Sequence, residues 1–246
     1  MISMPLERSE AFILQTRPFA EQDKLVTFFS QDKGILKGIA KGAHKFGNRF
    51  GSALEPMSHV RIFYYEKEGR DLVTVSNSDL IESFFDLQSD LKVSFNLSYF
   101  SEIIQEFLPL RHQEDRVFRL LKSSLQALRS GGDIDCVGAY LEGWILKLSG
   151  FLPQFTHCLE CRREVGEKSW MSATLDGVYC DRCSPRKKLE VPPNLLPFIR
   201  WIKKNPPSAG DTCPLAKDDI PAVRYILQNL LCFQLEREPK SLRYLK

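Results

Sequence analysis

Apolar and polar positions alternate with a period of two through the first eighty residues, and with a period near 3.6 afterwards. Short alternating or β-branched stretches occur at EAFILQ (10–15), LVTFFS (25–30), GILKGIAK (34–41), HVRIFYYE (59–66) and DLVTVS (71–76). In the fourth, Val60, Ile62 and Tyr64 fall on one face, as a half-buried strand requires. Five short strands so close together must manage their open edges, and closure into a small barrel does so. A five-stranded OB-type barrel is the simplest such object.

From about residue 82 the pattern predicts helices. The first spans 86–108 and ends before Pro109, and the second spans 115–129 and stops at Gly131–Gly132. The third, 134–149, places Val137, Leu141, Trp144, Ile145 and Leu148 on one face. Asp133 or Asp135 can cap its start, and Gly150 with Pro153 ends it. Two more follow near 194–204 and 218–235, with Pro221 in a first turn that tolerates it. The expected class is α+β: an OB-fold barrel domain at 1–80, then a mainly α-helical domain at 81–246. A cysteine-bearing insert at about 155–184 interrupts the helical part.

Composition changes this picture little. The chain has 246 residues, 43% hydrophobic and 26% charged, as in an ordinary globular protein. A net charge of +3 says nothing by itself about nucleic acid; only the local distribution does. MISMPLERSE carries early charges and no apolar core of a signal peptide, and no run reaches the length of a transmembrane span. The expected compartment is the cytosol, where clustered cysteines point to metal rather than to disulfides.

The clustered cysteines are two C-x-x-C pairs, Cys158/Cys161 and Cys180/Cys183. Two intervening residues let each pair turn both thiolates onto one ion, and two pairs complete a tetrahedral sulfur site. Asp176-Gly177 reads as a turn between two short strands, giving the shape of a zinc ribbon or knuckle. Zinc is the favoured reading; four reduced thiols without metal and an iron–sulfur cluster are the alternatives. Four sulfur ligands leave no open position for water or substrate, so such a site is structural. His157 adds nothing as a ligand, and Cys136, Cys213 and Cys232 read as separate small buried apolar residues.

No nucleophile elbow, P-loop, dinucleotide fingerprint or H-E-x-x-H helix occurs, so a non-enzyme is expected. The conspicuous feature is KGILKGIAKGAHKFGNRFG (33–51), in which Lys33, Lys37, Lys41, Lys45 and Arg49 recur every fourth residue without an acidic interruption. Three glycines in nine residues would each cost a helix about 1 kcal/mol, so the run reads as a strand entering a flexible basic loop. In the strand, Lys37 and Lys41 point with Ile35 and Ile39, away from Leu36, Gly38 and Ala40. Such a strip attracts DNA phosphates by counterion release without reading sequence. Keeping the barrel soluble is the plainer alternative. Arg17, before Pro18, is a weaker addition, and Arg186, Lys187 and Lys188 after the knuckle weaker still. Phe46, Phe50, Phe63, Tyr64 and Tyr65 lie nearby, but core packing explains them more simply than base stacking.

TRPFAEQDKLVTFFSQDKGILKGIAKGAHK followed by SALEPM resembles the opening of the RecO family of bacterial DNA-repair proteins. LKLSGFLPQFTHCLEC is similar to that family's helix–Gly–x–x–Pro–Cys–x–x–Cys junction, and KSLRYL to its C-terminal motif. The resemblance implies an OB barrel, a helical domain and a structural Zn2+, one per chain. It implies a recombination mediator of the RecF pathway that binds single- and double-stranded DNA and anneals complementary strands. It further implies action with RecR to load RecA onto DNA coated by single-stranded DNA-binding protein (SSB), docking on the SSB tail, and association with the nucleoid. Arg111, Arg116, Arg119 and Lys122 are candidates for the rim of the tail groove. The alternative is a zinc-ribbon protein-interaction adaptor with little DNA affinity of its own.

Overall fold

The alternating N-terminal stretches become five strands: β1 Leu6–Phe19, β2 Asp23–Ser30, β3 Gly34–Ala40, β4 His59–Tyr65 and β5 Leu72–Glu82. The computed structural model describes residues 5–67, 69–184, 188–208 and 213–245. The strands close a barrel in the order β1-β2-β3-β5-β4. β3 pairs with β5 in parallel and the remaining pairs are antiparallel. This is the five-stranded OB arrangement, as the pattern predicts.

β1 and β5 run longer than their apolar stretches because each pairs with its two neighbours along successive, barely overlapping stretches. β1 pairs with β4 from Leu6 to Phe12 and with β2 from Ala11 to Phe19, and its register shifts between Ile13 and Gln15. There the Ile13 N–H donates to the Ser58 carbonyl and the Met57 N–H to the Ile13 carbonyl, so the extra residue bends the strand around the barrel. Inside lie Ala11, Ile13, Val26, Phe28, Leu36, Ala40, Val60, Ile62, Tyr64, Val73 and Val75. Burying each large member stabilises the barrel by roughly 1.5–3 kcal/mol before chain entropy is counted. Gly38 is needed where β3 meets β5: a Cβ there would lie 2.8 Å from a Val73 methyl and 2.9 Å from a Val75 methyl.

The chain divides into two compact units, Met1–Arg119 with Lys240–Lys246, and Leu120–Pro239. In the first, the helix expected at 86–108 is a 3-10 turn, Phe85–Ser89, followed by α1, Leu91–Phe107. Asp90 separates them because its carboxylate caps α1, accepting from the Lys92 and Val93 N–H groups. The Ser101 hydroxyl donates to the Leu14 carbonyl at 2.6 Å, tying α1 to β1. Glu102 receives the N–H groups of Lys240 and Ser241, which holds the C-terminal segment to the same unit.

α2 spans Asp115–Arg129. The second unit adds α3 Ile134–Leu148, α4 Leu195–Ile202 and α5 Ile220–Leu235. Asp133 caps α3 and Pro221 sits in the first turn of α5. Val137, Leu141 and Ile145 of α3 and Val223, Ile226, Leu227 and Leu230 of α5 are buried. Within this apolar packing sits an ion cluster. Arg224, 6% exposed, donates to Glu142, 0% exposed, at 2.8 Å and to Asp135 at 3.0 Å. Gly138 makes room for it, since a Cβ there would lie 2.8 Å from the guanidinium carbon. Among the described residues no helix is long and apolar enough to cross a membrane.

Candidate metal centre and basic barrel surface

The insert forms a small sheet of β6 Gln154–Cys158, β7 Ser169–Met171 and β8 Gly177–Cys180, ordered β6-β8-β7. A turn does join β7 to β8, but it lies over residues 172–176, and Gly177 already begins β8. The Asp176 carboxylate accepts from the Ser172 hydroxyl at 2.5 Å and the Thr174 hydroxyl at 2.7 Å, and these bonds hold its acid below the usual carboxylate range. Cys158 ends β6 and Cys180 ends β8, so adjacent strands deliver the first cysteine of each pair. Tight turns then bring in the second: the Arg162 N–H donates to the Cys158 carbonyl at 3.0 Å, and the Cys183 N–H to the Cys180 carbonyl at 3.1 Å.

All four sulfurs of Cys158, Cys161, Cys180 and Cys183 lie within 4.8 Å of one another, and Cys161 and Cys180 are 3.9 Å apart. Four thiolates at about 2.3 Å from one zinc ion stand about 3.8 Å from each other, so little movement separates this set from a tetrahedral site. Burial raises the Cys158 thiol, but the backbone N–H groups of Cys180, Cys161 and Glu160 outweigh it and bring it down to about 6. The Cys183 N–H likewise lowers the Cys180 thiol. Donors aimed at these two sulfurs stabilise thiolate, the form a metal binds, whereas the adjoining Cys180 and Cys161 sulfurs push the Cys183 thiol up to about 12. The residues therefore fit a metal ion, and the donor set is closed.

On the barrel, strand register aligns the outward residues in rows. Gln15, Thr27, Lys37 and Leu72 form one, and Arg17, Leu25, Ile39 and Thr74 the next. Arg17 and Lys37 are both exposed on this outer face, two strands and two residues apart, so their Cα atoms lie about 12 Å from each other. Lys41 follows at the end of β3, and Lys45 four residues on; both are exposed. Among the described residues Arg17, Lys37, Lys41 and Lys45 make no salt bridge.

The segment after Lys41 is not the flexible arm that its glycines suggest. It is a series of turns, closed by the N–H groups of Ala43, Lys45, Asn48 and Ala53 onto the carbonyls of Ala40, Gly42, Lys45 and Phe50. The Gly42 N–H reaches the Asp23 carboxylate at 2.8 Å, the His44 N–H the Gln22 carbonyl at 2.9 Å, and the Thr16 hydroxyl the Leu54 carbonyl at 2.7 Å. Ala43, Phe50, Ala53 and Leu54 are buried in the barrel core, so apolar side chains anchor what looked like a polar loop. Arg49 sits over the Phe50 ring at 4.6 Å and donates from Nε to the Ser76 carbonyl at 2.8 Å.

Lys33 does not join this surface. It precedes β3 at the opposite end of the strand, about 25 Å from Lys41 by chain extension. Its ammonium lies 2.9 Å from Glu66 and 3.4 Å from Glu7, and the hydrogen bond to Glu66 raises its pKa. The four-residue beat is thus a property of the chain, and the shared surface begins at Lys37. Of the outlying cations, Arg111 is bound to Glu66 and to the carbonyls of Arg70 and Asp71, and Arg119 pairs with Asp115 at 2.9 Å. Arg186 and Lys187 lie outside the described residues; Lys188 is exposed.

Two family models tile the chain: Recombination protein O N terminal over residues 4–84, and Recombination protein O C terminal over residues 88–243. The chain belongs to the RecO family. A relative from Koribacter versatilis, a DNA repair protein RecO, is 37% identical over 175 residues, 71% of each chain. Proteins of the same name from Desulfatibacillum aliphaticivorans and Caldicellulosiruptor saccharolyticus are 30% and 23% identical. The first covers 99% of this chain and 97% of its own, the second 99% of both. The RecO family match thus includes the barrel and the cysteine insert alike.

One candidate residue of this RecO-family chain escapes sequence reasoning. Phe46 is fully exposed between Lys45 and Gly47, whereas Phe50 and Tyr64 are buried and Phe63 and Tyr65 half-buried. A signal was available: Phe46 stands in the most polar, glycine-flanked part of the segment, where no strand exists to carry it inward.

Proposed function

We propose that this RecO-family chain is a non-enzymatic recombination mediator of DNA repair whose barrel, about residues 1–80, binds DNA. Arg17, Lys37, Lys41, Lys45 and Arg49 contact phosphates of single or double strands, and Phe46 offers a face on which an unpaired base stacks. The observation that carries this reading is the exposed row from Arg17 through Lys37 to Lys45, whose members make no salt bridge among the described residues. Cations on the outer face of strands β1 to β3 and the adjoining segment lie where OB barrels receive oligonucleotides.

Holding two strands by their backbones leaves the base edges free to pair. It also neutralises phosphate charge that opposes their approach. Both effects favour annealing of complementary strands without any bond being made or broken. Cys158, Cys161, Cys180 and Cys183 would hold one structural zinc ion, which cross-links β6 and β8 and supplies no chemistry beyond that. The helical part, 81–246, then receives protein partners: RecR, and the tail of SSB, so that RecA loads onto the uncovered strand. The chain works in the cytoplasm, at the nucleoid.

The test is annealing of two complementary oligonucleotides, with and without SSB. The natural chain should accelerate it, and Lys37→Ala/Lys41→Ala/Lys45→Ala should lose most of that acceleration with little change in thermal stability. Binding to RecR or SSB without any effect on annealing would favour the adaptor reading instead.

A further inference from the structure

Cys136 and Cys213 are 77 residues apart in sequence, yet their sulfurs lie 3.3 Å from each other. Cys136 stands in the first turn of α3, and Cys213 in the segment that leads to α5. Both line a cavity of about 410 Å³ that opens to solvent, together with Gly132, Asp133, Ser208 and Lys217. A disulfide needs its sulfurs at about 2.05 Å, so a shift of roughly 1.3 Å, within reach of side-chain rotation, makes the bond. The mouth of the cavity admits a small oxidant to the half-buried Cys213, with Cys136 buried behind it.

We propose that Cys136 and Cys213 are a redox modification site, a thiol pair that hydrogen peroxide converts to a reversible disulfide. Cys213 is the attacking sulfur. The hydrogen bond from Cys136 pulls its thiol down to about 7 against the effect of burial, which favours the thiolate on this sulfur of the pair. The same pairing, with burial behind it, raises the Cys136 thiol and keeps it protonated, and the Asp133 charge opposes ionisation of both. The Cys213 thiolate attacks one peroxide oxygen; the O–O bond breaks, and with one proton the other oxygen leaves as water. Cys213 is then a sulfenic acid. The Cys136 sulfur attacks it, the S–O bond breaks, and the hydroxyl leaves with the Cys136 proton as a second water. Overall two thiols are oxidised to a disulfide and one peroxide is reduced to two waters.

The bond would close a loop that contains the whole cysteine knuckle and α4. In a reducing compartment such bonds are transient and serve as sensors. The knuckle sulfurs, committed to a metal, are expected to react later than this pair.

The experiment uses the full chain as purified, with metal release followed by a zinc-sensitive dye. Peroxide is added in increments, free thiols are alkylated, and the digest is mapped by mass spectrometry without reduction. The expected result is a Cys136–Cys213 cross-linked peptide that forms before zinc is released and disappears with dithiothreitol. In Cys136→Ser, Cys213 should accumulate as a sulfenic acid trapped by dimedone. The proposal is overturned if both residues remain alkylatable when zinc is released. It is equally overturned if Cys213 pairs with a knuckle cysteine, or if the cross-link forms only after metal loss. The natural chain decides between these outcomes even if the serine variant fails to fold.

Discussion

Replacing Arg224 by methionine should be among the most damaging single changes in the helical unit. The methionine fills much of the same space, but it removes donors at 2.8 and 3.2 Å from Glu142 and at 3.0 Å from Asp135. Asp135 is partly exposed and can turn to water, whereas Glu142 is completely buried. What remains to it is the Gln228 side-chain amide at 3.0 Å, a neutral donor in place of a charged one. Breaking a buried pair and leaving one charge behind costs about 3–5 kcal/mol. That is a large part of the roughly 5–15 kcal/mol that holds a domain folded. It corresponds to about two to three and a half orders of magnitude in the folding constant. The assay is built into the chain: Trp144, Trp170 and Trp201 are its three tryptophans and all lie between Leu120 and Pro239. Urea unfolding followed by their fluorescence therefore reads this unit alone. Arg224→Met/Glu142→Leu should recover most of the loss, since no buried charge is then left without its partner. A single variant costing less than about 1 kcal/mol, or a double variant no better than the single, would refute the reasoning.

Two further outcomes follow from the same physics. Elemental analysis of freshly purified protein should find one zinc per chain, and chelation should lower the stability of the helical unit and shift Trp170 fluorescence; protein purified without metal yet equally stable would remove the zinc centre from the account. Glu66 is held below its ordinary value of 4.5, first by its hydrogen bond with Lys33 and also by Arg111. A carboxylate with a depressed folded pKa contributes stability fully above its unfolded value and loses it as pH falls through the folded one. The natural chain should therefore be more stable than Glu66→Gln at neutral pH, with the gap closing below about pH 4. A gap that persists at lower pH would place the effect elsewhere.

Much of the architecture was legible because it rests on periodicity. Val60, Ile62 and Tyr64 alternate, and they line the barrel; Val137, Leu141 and Ile145 recur at helical spacing, and they are buried. The two C-x-x-C pairs announce their cluster because the spacing itself imposes the turn. What was hidden depends on contacts between distant residues. Nothing in NSDLIE marks residues 77–82 as strand; pairing with β4 makes them one. Phe50 and Leu54 look like loop residues until the barrel core receives them. Lys33 carries the same charge and spacing as Lys37, and only the approach of Glu66 from β4's end distinguishes them. Glu142 reads as the polar face of α3, and Cys136 and Cys213 as unrelated thiols. In these last two cases a partner more than seventy residues away sets the role.

The central claim, that the barrel wall from Arg17 to Arg49 holds nucleic acid by its phosphates, is tested most directly by the salt dependence of binding. Fluorescence anisotropy of a labelled single-stranded oligonucleotide, titrated at several salt concentrations, gives the slope of log affinity against log salt. Each lost phosphate contact reduces that slope by about 0.7, so Lys37→Ala/Lys41→Ala/Lys45→Ala should bind more weakly with a slope smaller by about 2. An unchanged affinity and slope in a variant of unchanged thermal stability would contradict the account.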